Sequence, residues 1–249
     1  MTALLVFDTA TGQMSVGLRA GGRDRLLDAP GGAKASAALI PAALAMLADA
    51  GLRVTDLDAI GFGRGPGAFT GLRTACAVAQ GLGFGAGVPV LALDTLMAVA
   101  EEARLAEGSA AAVVDAWVAM DARMDEVYAA RYRWADGAWA NIVAPLLITP
   151  DAINQRWSDA PPAHVAGSAL DAFGDRLRTR GAALSPAALP SARALLAIAD
   201  AGWRAGEAVD AARALPLYLR DKVAQTTAER DAARAAREER AAAGREATA

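Results

Sequence analysis

One glycine-rich segment constrains the fold of this sequence more than any other. It reads Gly-Arg-Gly-Pro-Gly-Ala-Phe-Thr-Gly-Leu-Arg over residues 63–73, after a strand-like run at 57–62 and before a helix-like run at 70–84. Glycine and proline together favour a tight turn, and Thr70 is placed to cap the helix through its hydroxyl. This strand–loop–helix corner either holds an anion at the free N–H groups of the helix or brings the helix close to the sheet. It is not a P-loop, because no Gly-Lys-Ser/Thr ends it.

The order of elements around this segment predicts an α/β fold. Apolar runs predict strands at 3–7 and 14–18, and a helix at 36–50 follows them. After the glycine segment come a strand at 88–93 and a helix at 95–105. Two hairpin strands followed by alternating helix and strand resemble an RNase H-like lobe of the actin, Hsp70 and sugar-kinase superfamily.

A second RNase H-like lobe is predicted after the first. Its strands are expected at 111–120, 126–134 and 165–167, its helices at 150–157 and 192–205, and a closing segment at 215–219. We therefore predict an N-terminal lobe at 1–107, a C-terminal lobe at 108–223 and a charged Ala/Arg/Glu-rich tail at 224–249. The tail has no large apolar face, so it is either a solvated appendage or a partner contact.

Four segments, in chain order, resemble the TsaB (YeaZ) family. They are an opening strand and turn at 5–11, the glycine segment, an Asp-Ala-Arg-x-x-Glu-Val-Tyr element at 121–128 and Pro-Leu-Tyr-Leu-Arg at 216–220. Ala68 stands where the family usually has serine. The residues that carry the match in the two central motifs are Gly63, Arg64, Gly65, Pro66, Gly67, Phe69, Thr70, Gly71, Arg73, Asp121, Arg123, Glu126 and Tyr128.

The resemblance implies a non-catalytic scaffold subunit. Such a subunit binds the catalytic protein TsaD and the ATPase TsaE, and supports formation of N6-threonylcarbamoyladenosine at position 37 of tRNA. It implies no cofactor of its own, with ATP or ADP and metal on the partner subunits. It also implies that tRNA is contacted only through the complex, and that the chain forms a homodimer when TsaD is absent.

Charge and cysteine content restrict the partners and the compartment. The net charge is −3 and the sequence pI is about 5.3, so no dense basic face is expected to bind tRNA unaided. Cys76 is the single cysteine, which excludes an internal disulfide and fits a reducing cytoplasm. The uncharged stretch at 74–93 is broken by glycines and a proline, so we predict a cytoplasmic protein with no membrane span.

The turn after the first strand is the candidate nucleotide site. Asp8, Thr9 and Thr11 lie where the superfamily places a phosphate-binding turn and a carboxylate near a metal-bound nucleotide. The second lobe has no comparable Asp-Gly-Thr turn, and residues 165–168 are its nearest remnant. The turn at residue 8 is therefore either a weak cofactor site or a turn retained for packing.

No catalytic or metal-binding set is predicted. His164 is the only histidine and lies beside two prolines, so we expect an exposed loop residue without a second ligand. Cys76 is expected to be a buried apolar side chain. Asp121 and Glu126 are either a paired carboxylate site, with Arg123 placed to orient an anion, or a structural ion pair in a turn between two strands. The alternative function is a stand-alone nucleotide-dependent enzyme, or an M22-like peptidase, of the same fold.

Small residues on the helix at 70–84 predict a close helix–helix contact. The family resemblance implies that this helix and the helix at 36–50 dock on TsaD as a helical bundle. Packing of the same face against the chain's own sheet is the alternative. The predicted interface residues are Leu39, Ala43, Gly71, Ala75 and Ala79.

Overall fold

Strand β1 (Leu4–Asp8) is the centre of a mixed sheet in the computed structural model, which describes residues 2–108 and 113–220. β2 (Gln13–Ala20) pairs antiparallel with β1, and β3 (Arg23–Pro30) pairs antiparallel with β2. On the other side of β1, the strands β4 (Ala59–Gly65) and β5 (Val90–Asp94) run parallel to it. The strand order is β3-β2-β1-β4-β5.

A second sheet repeats this arrangement. Its strands are β6 (Val113–Asp121), β7 (Val127–Ala135), β8 (Ala138–Ile148), β9 (His164–Ala166) and β10 (Ala183–Ser185). The order is β10-β9-β6-β7-β8, with β6 to β8 antiparallel and β9 and β10 parallel to β6. β6 therefore occupies the position of β1, and the prediction of two RNase H-like α/β units is confirmed.

Helices cover both faces of the two sheets. Side chains of β1 point alternately to the two faces of the first sheet. On one face, Leu5 and Phe7 pack against the first two helices. On the other face, Leu4 and Val6 pack against the third and the last helix. The third helix also contacts the second sheet, so it lies between the sheets. The helices are α1 (Ala35–Asp49), α2 (Phe69–Ala86), α3 (Thr95–Ala106), α4 (Pro150–Asp159), α5 (Ala169–Phe173) and α6 (Ala192–Arg204).

The last helix and the segment after it return to the first sheet. Leu195 and Leu196 of α6 pack with Leu4 and Val6 of β1, and the backbone of Val209 pairs with Val90 of β5. The sequence pattern predicts residues 192–219 as part of the second lobe, whereas α6 and Val209 contact strands of the first sheet. The lobe boundary at 107–108 stays a prediction.

Several smaller expectations differ from the structure. Helix α2 begins at Phe69 with Ala68 as its N-cap residue and no side-chain cap, so the prediction that Thr70 caps the helix is wrong. Strands β8 and β10 were not predicted. The charged tail predicted at 224–249 lies outside the described residues. Within residues 2–108 and 113–220, no helix is long and apolar enough to cross a membrane.

Candidate functional site

Asp8 ends β1 with a fully buried carboxylate that joins three segments of the chain. Its Oδ1 accepts a hydrogen bond from the backbone N–H of Ala10 at 2.6 Å, and its Oδ2 accepts one from the Thr95 hydroxyl at 2.7 Å. The Thr95 oxygen in turn accepts the N–H of Gly65 at 3.1 Å. Burial raises the pKa of Asp8, and the hydrogen bonds from Ala10 and Thr95 oppose that rise. The carboxylate thus fixes the glycine segment against β1.

The other two candidate nucleotide ligands also have partners within the chain. The Thr9 hydroxyl donates to the carbonyl of Gly71 at 2.7 Å. The Thr11 hydroxyl oxygen accepts the N–H of Gln13 at 3.1 Å. Each side chain therefore stabilises the turn or the contact between the turn and α2. A role in nucleotide binding stays a prediction for Asp8, Thr9 and Thr11.

The glycine segment lies directly on this turn. A Cβ on Gly67 would be 2.5 Å from the carbonyl oxygen of Ala10, and a Cβ on Gly71 would be 1.8 Å from that of Thr9. The N–H of Ala68 donates to the Ala10 carbonyl at 2.7 Å. Gly65 adopts a φ of 107°, and its peptide bond to Pro66 is cis. Of the two interpretations of this corner, these contacts support the close approach of helix and sheet.

A buried polar cluster next to Asp8 connects the two sheets. Asp94 caps α3 by accepting the N–H groups of Leu96 and Met97, at 2.9 and 3.2 Å. The hydroxyl of Tyr132, from β7 of the second sheet, donates to Asp94 Oδ2 at 2.9 Å. Burial raises the pKa of both Asp94 and Tyr132. Neither Asp94 nor Tyr132 is among the candidate residues predicted from the sequence, although Asp94 precedes a helical run and aspartate is a typical N-cap residue.

The turn at 121–126 connects β6 to β7, as the turn after Asp8 connects β1 to β2. Arg123, Met124 and Asp125 all have positive φ, at 62°, 56° and 62°, a conformation that is unfavourable for residues with a Cβ. The Asp121 carboxylate accepts the N–H of Arg123 at 2.8 Å and lies 2.9 Å from its guanidinium. Asp125 forms a second ion pair, with Arg176 at 2.6 Å. Of the two interpretations of this motif, these contacts support the structural ion pair.

The predicted interface residues face the interior of the chain. Leu39, Ala43, Ala75 and Ala79 have no exposed surface and pack with Leu5 and other residues of the first sheet. Gly71 is pressed against the Thr9 carbonyl. These contacts support the alternative, in which the faces of α1 and α2 that carry these residues pack on the chain's own sheet. A partner contact at the five residues stays a prediction.

The opposite faces of the same two adjacent helices are exposed and almost uncharged. We call them the outer face. On α1 the exposed positions include Ala37, Ile40, Leu44 and Ala48, at helical spacing. On α2 they are Thr70, Arg73, Ala77, Gly81, Phe84 and Gly85. Ile40, Leu44 and Phe84 are exposed by 42%, 44% and 81% of their surface, so both helices of the outer face present large apolar side chains to solvent.

His164, the single histidine of the sequence, lies in a strand and not in a loop. His164 lies in strand β9 and is buried, with its Nε2 at 2.9 Å from the Ser185 hydroxyl and 3.3 Å from Glu107. The expectation of an exposed loop histidine is wrong.

Cys76 is buried in α2, as predicted, and burial raises the pKa of its thiol. No group of three or more His, Cys, Asp or Glu side chains that could hold a metal occurs among the described residues.

Known proteins share both the sequence and the fold of this chain. TsaB of Escherichia coli, a tRNA threonylcarbamoyladenosine biosynthesis protein, is 34% identical over 75% of this chain and 80% of its own length. TsaB of Haemophilus influenzae is 33% identical over 88% of this chain and 94% of its own length. The family model of TsaD, the tRNA N6-adenosine threonylcarbamoyltransferase, matches residues 32–164.

A solved structure shows the same fold. The structure of YeaZ from Pseudomonas aeruginosa superposes with a TM-score of 0.79 at 37% sequence identity. The superposition covers 88% of this chain and 100% of that one. The two duplicated sheets described above are therefore shared with YeaZ.

Proposed function

Because the chain belongs to the TsaB family of tRNA threonylcarbamoyladenosine biosynthesis proteins, we propose that it is a non-catalytic subunit of the enzyme complex that makes this modification. In this proposal a TsaD-type protein supplies the catalytic centre and TsaE is a further subunit. ATP or ADP and metal bind on the partners, and tRNA is contacted only through the complex. Without its TsaD-type partner, the chain pairs with a second copy of itself through the surface that otherwise binds TsaD.

One observation carries the proposal, which is the exposed apolar outer face of α1 and α2. A helix of a water-exposed protein usually turns polar residues outward. Here Ile40, Leu44 and Phe84 are exposed instead, and α1 and α2 contain one charged residue each, Asp49 and Arg73. Alanine and glycine between the apolar side chains allow another pair of helices to come within about 8–10 Å. The outer face thus fits a helical partner. This proposed interface uses the two helices predicted from the sequence, but the opposite face of each.

The state of the Asp8 turn also supports a non-catalytic role. In an enzyme that binds a phosphorylated substrate at this turn, the carboxylate and the N–H groups must point to the ligand. Here the Asp8 carboxylate and the N–H of Ala68 bond to groups of the same chain. Gly63 approaches Asp8 so closely that a Cβ would be 1.7 Å from Oδ2. The turn therefore acts as a support for the glycine segment.

A single-omission assay tests the proposed function. Purified TsaD-type protein, TsaE and the enzyme that makes threonylcarbamoyl-adenylate are incubated with unmodified tRNA, with and without this chain. We expect N6-threonylcarbamoyladenosine only in the complete mixture, and no product from this chain with substrates alone. Modification by this chain alone would favour the stand-alone enzyme. Full activity without this chain would exclude the subunit role.

A further inference from the structure

Arg73 is held in one position on the outer face by two aromatic side chains. Its guanidinium carbon lies 3.7 Å from the ring centre of Phe69, which is four residues earlier on α2 and so on the same side of the helix. Its Nε donates a hydrogen bond to the Tyr218 hydroxyl at 3.3 Å. The ring centres of Phe69 and Tyr218 are 4.9 Å apart. The side chain is therefore exposed and yet ordered.

The returning C-terminal segment keeps Tyr218 in place. The N–H of Leu217 donates to the carbonyl of Arg64, in the glycine segment, at 2.7 Å. Further along α2, the amide of Gln80 donates to the carbonyl of Ala214 at 3.0 Å. These two bonds fix the segment along α2. The motif at 216–220 thereby supports the arginine that ends the motif at 63–73.

Four of the five N–H donors of the Arg73 guanidinium are unused within the described part of the chain. Its two terminal amino groups have no partner in the described part of the chain, whereas Nε is engaged with Tyr218. A guanidinium that is stacked and held at Nε presents its outer edge to solvent, and a carboxylate can bind that edge through both oxygens. Because the Arg73 side chain is already ordered before binding, less conformational entropy is lost when the ion pair forms.

The surroundings of Arg73 indicate the chemistry of its partner. It is the only charged residue of α2, and the other exposed large side chains of the outer face are the apolar Ile40, Leu44 and Phe84. A partner that covers this surface takes Arg73 out of water, and a buried charge without a counter-ion is strongly destabilising. One arginine among apolar groups does not fit an RNA backbone, which needs several cations. It fits an apolar protein surface that carries one acidic side chain.

We propose that Arg73 anchors the TsaD-type partner by binding one of its Asp or Glu carboxylates at the end of the outer face near Tyr218. This proposal rests on the proposed function. It assigns the pair of motifs at 63–73 and 216–220 a shared task, which is to build and hold this anchor. Phe69 and Tyr218 are positioning residues, since they act on the partner through Arg73.

Titration calorimetry of the TsaD-type subunit of the same organism into the full chain tests the anchor. Arg73→Glu is expected to weaken binding by about 100-fold or more, since it places two acidic groups together. Arg73→Lys keeps the charge but loses the two-point geometry and the stacking, and should weaken binding by about tenfold. Tyr218→Phe keeps the ring and removes the hydroxyl, with a loss of about threefold to fivefold. Arg23→Glu, an exposed arginine of β3, is the control and should change binding by less than about twofold.

The outcomes separate this proposal from the proposed function. All four variants should keep the unfolding temperature of the unsubstituted chain, which a purely structural role of Arg73 would not allow. Restoration of binding to Arg73→Glu by replacing one acidic residue of the partner with arginine would support the pair directly. Unchanged binding by Arg73→Glu would overturn the anchor and leave the subunit role intact. Failure of the unsubstituted chain to bind would contradict both.

Discussion

Gly71 of helix α2 is in direct contact with the backbone of Thr9, and a Cβ at position 71 would lie 1.8 Å from the Thr9 carbonyl oxygen. The opposing atom is part of the backbone, so the contact cannot be relieved by a change of rotamer. Gly71→Ala must therefore move α2 away from the turn. We expect a loss of at least about 3 kcal/mol in the free energy of unfolding, measured by urea denaturation.

Gly81 provides the matched control in the same helix. A Cβ there would have no heavy atom within 4 Å, and the residue has no positive φ. Gly81→Ala should stabilise the protein by about 0.5–1 kcal/mol, because alanine loses less backbone entropy in a helix. Equal destabilisation by both substitutions would show that helix propensity, and not the contact with Thr9, sets the need for glycine.

The buried carboxylate of Asp8 predicts a pH dependence of stability with a definite sign. Burial raises its pKa above the value of 3.8 expected in the unfolded chain, so between these two values the folded state binds more protons. The contribution of Asp8 to stability therefore falls as pH rises through this window. Urea denaturation from pH 4 upward should show Asp8→Asn gaining stability relative to the unsubstituted protein as pH increases.

Asp24 gives the opposite sign and serves as the comparison. Its hydrogen bond from Arg19 lowers the pKa of this carboxyl below 3.8. Its stabilising contribution is present above that value and is lost as pH falls through the folded-state pKa. The stability difference between Asp24→Asn and the unsubstituted protein should thus shrink on acidification. A parallel pH profile for the two variants would contradict the assigned shifts.

Because His164 is buried, we expect its replacement by alanine to destabilise the fold. Its Nε2 contacts the Ser185 hydroxyl at 2.9 Å and Glu107 at 3.3 Å, so His164→Ala leaves a cavity and removes both contacts. We expect a loss of about 2 kcal/mol in the free energy of unfolding. Activity of the reconstituted complex should be unchanged below the lowered unfolding temperature. A specific loss of activity at full folding would give the histidine a functional role.

Much of the first sheet follows from sequence patterns, because glycine or proline lies directly beside at least one end of β2, β4, α2 and β5. The predicted helix at 36–50 is observed as α1, at Ala35–Asp49. The second sheet was harder to predict, since β9 and β10 have three residues each and show no periodicity. The two prolines before His164 predict a loop at this position, whereas pairing with β6 and β10 makes it part of a strand.

The face of a helix that binds a partner could not be predicted from composition here. Alanine and glycine lie on both sides of α2, so hydrophobic periodicity does not distinguish Ala75 from Ala77. Burial separates them, because Ala75 packs on the first sheet and Ala77 is exposed. The contact between Arg73 and Tyr218 joins residues 145 positions apart, and only the returning C-terminal segment brings them together.

The most direct measurement of the central claim, that the outer face docks the catalytic subunit, compares tryptophan at these two neighbouring positions. Ala77→Trp should keep the unfolding temperature and weaken binding of the TsaD-type subunit by about 100-fold or more in titration calorimetry, because a large ring prevents close helix packing. Ala75→Trp should instead destabilise the fold by about 1–3 kcal/mol or more through overpacking. Unimpaired binding by a stably folded Ala77→Trp variant would show that the partner docks elsewhere.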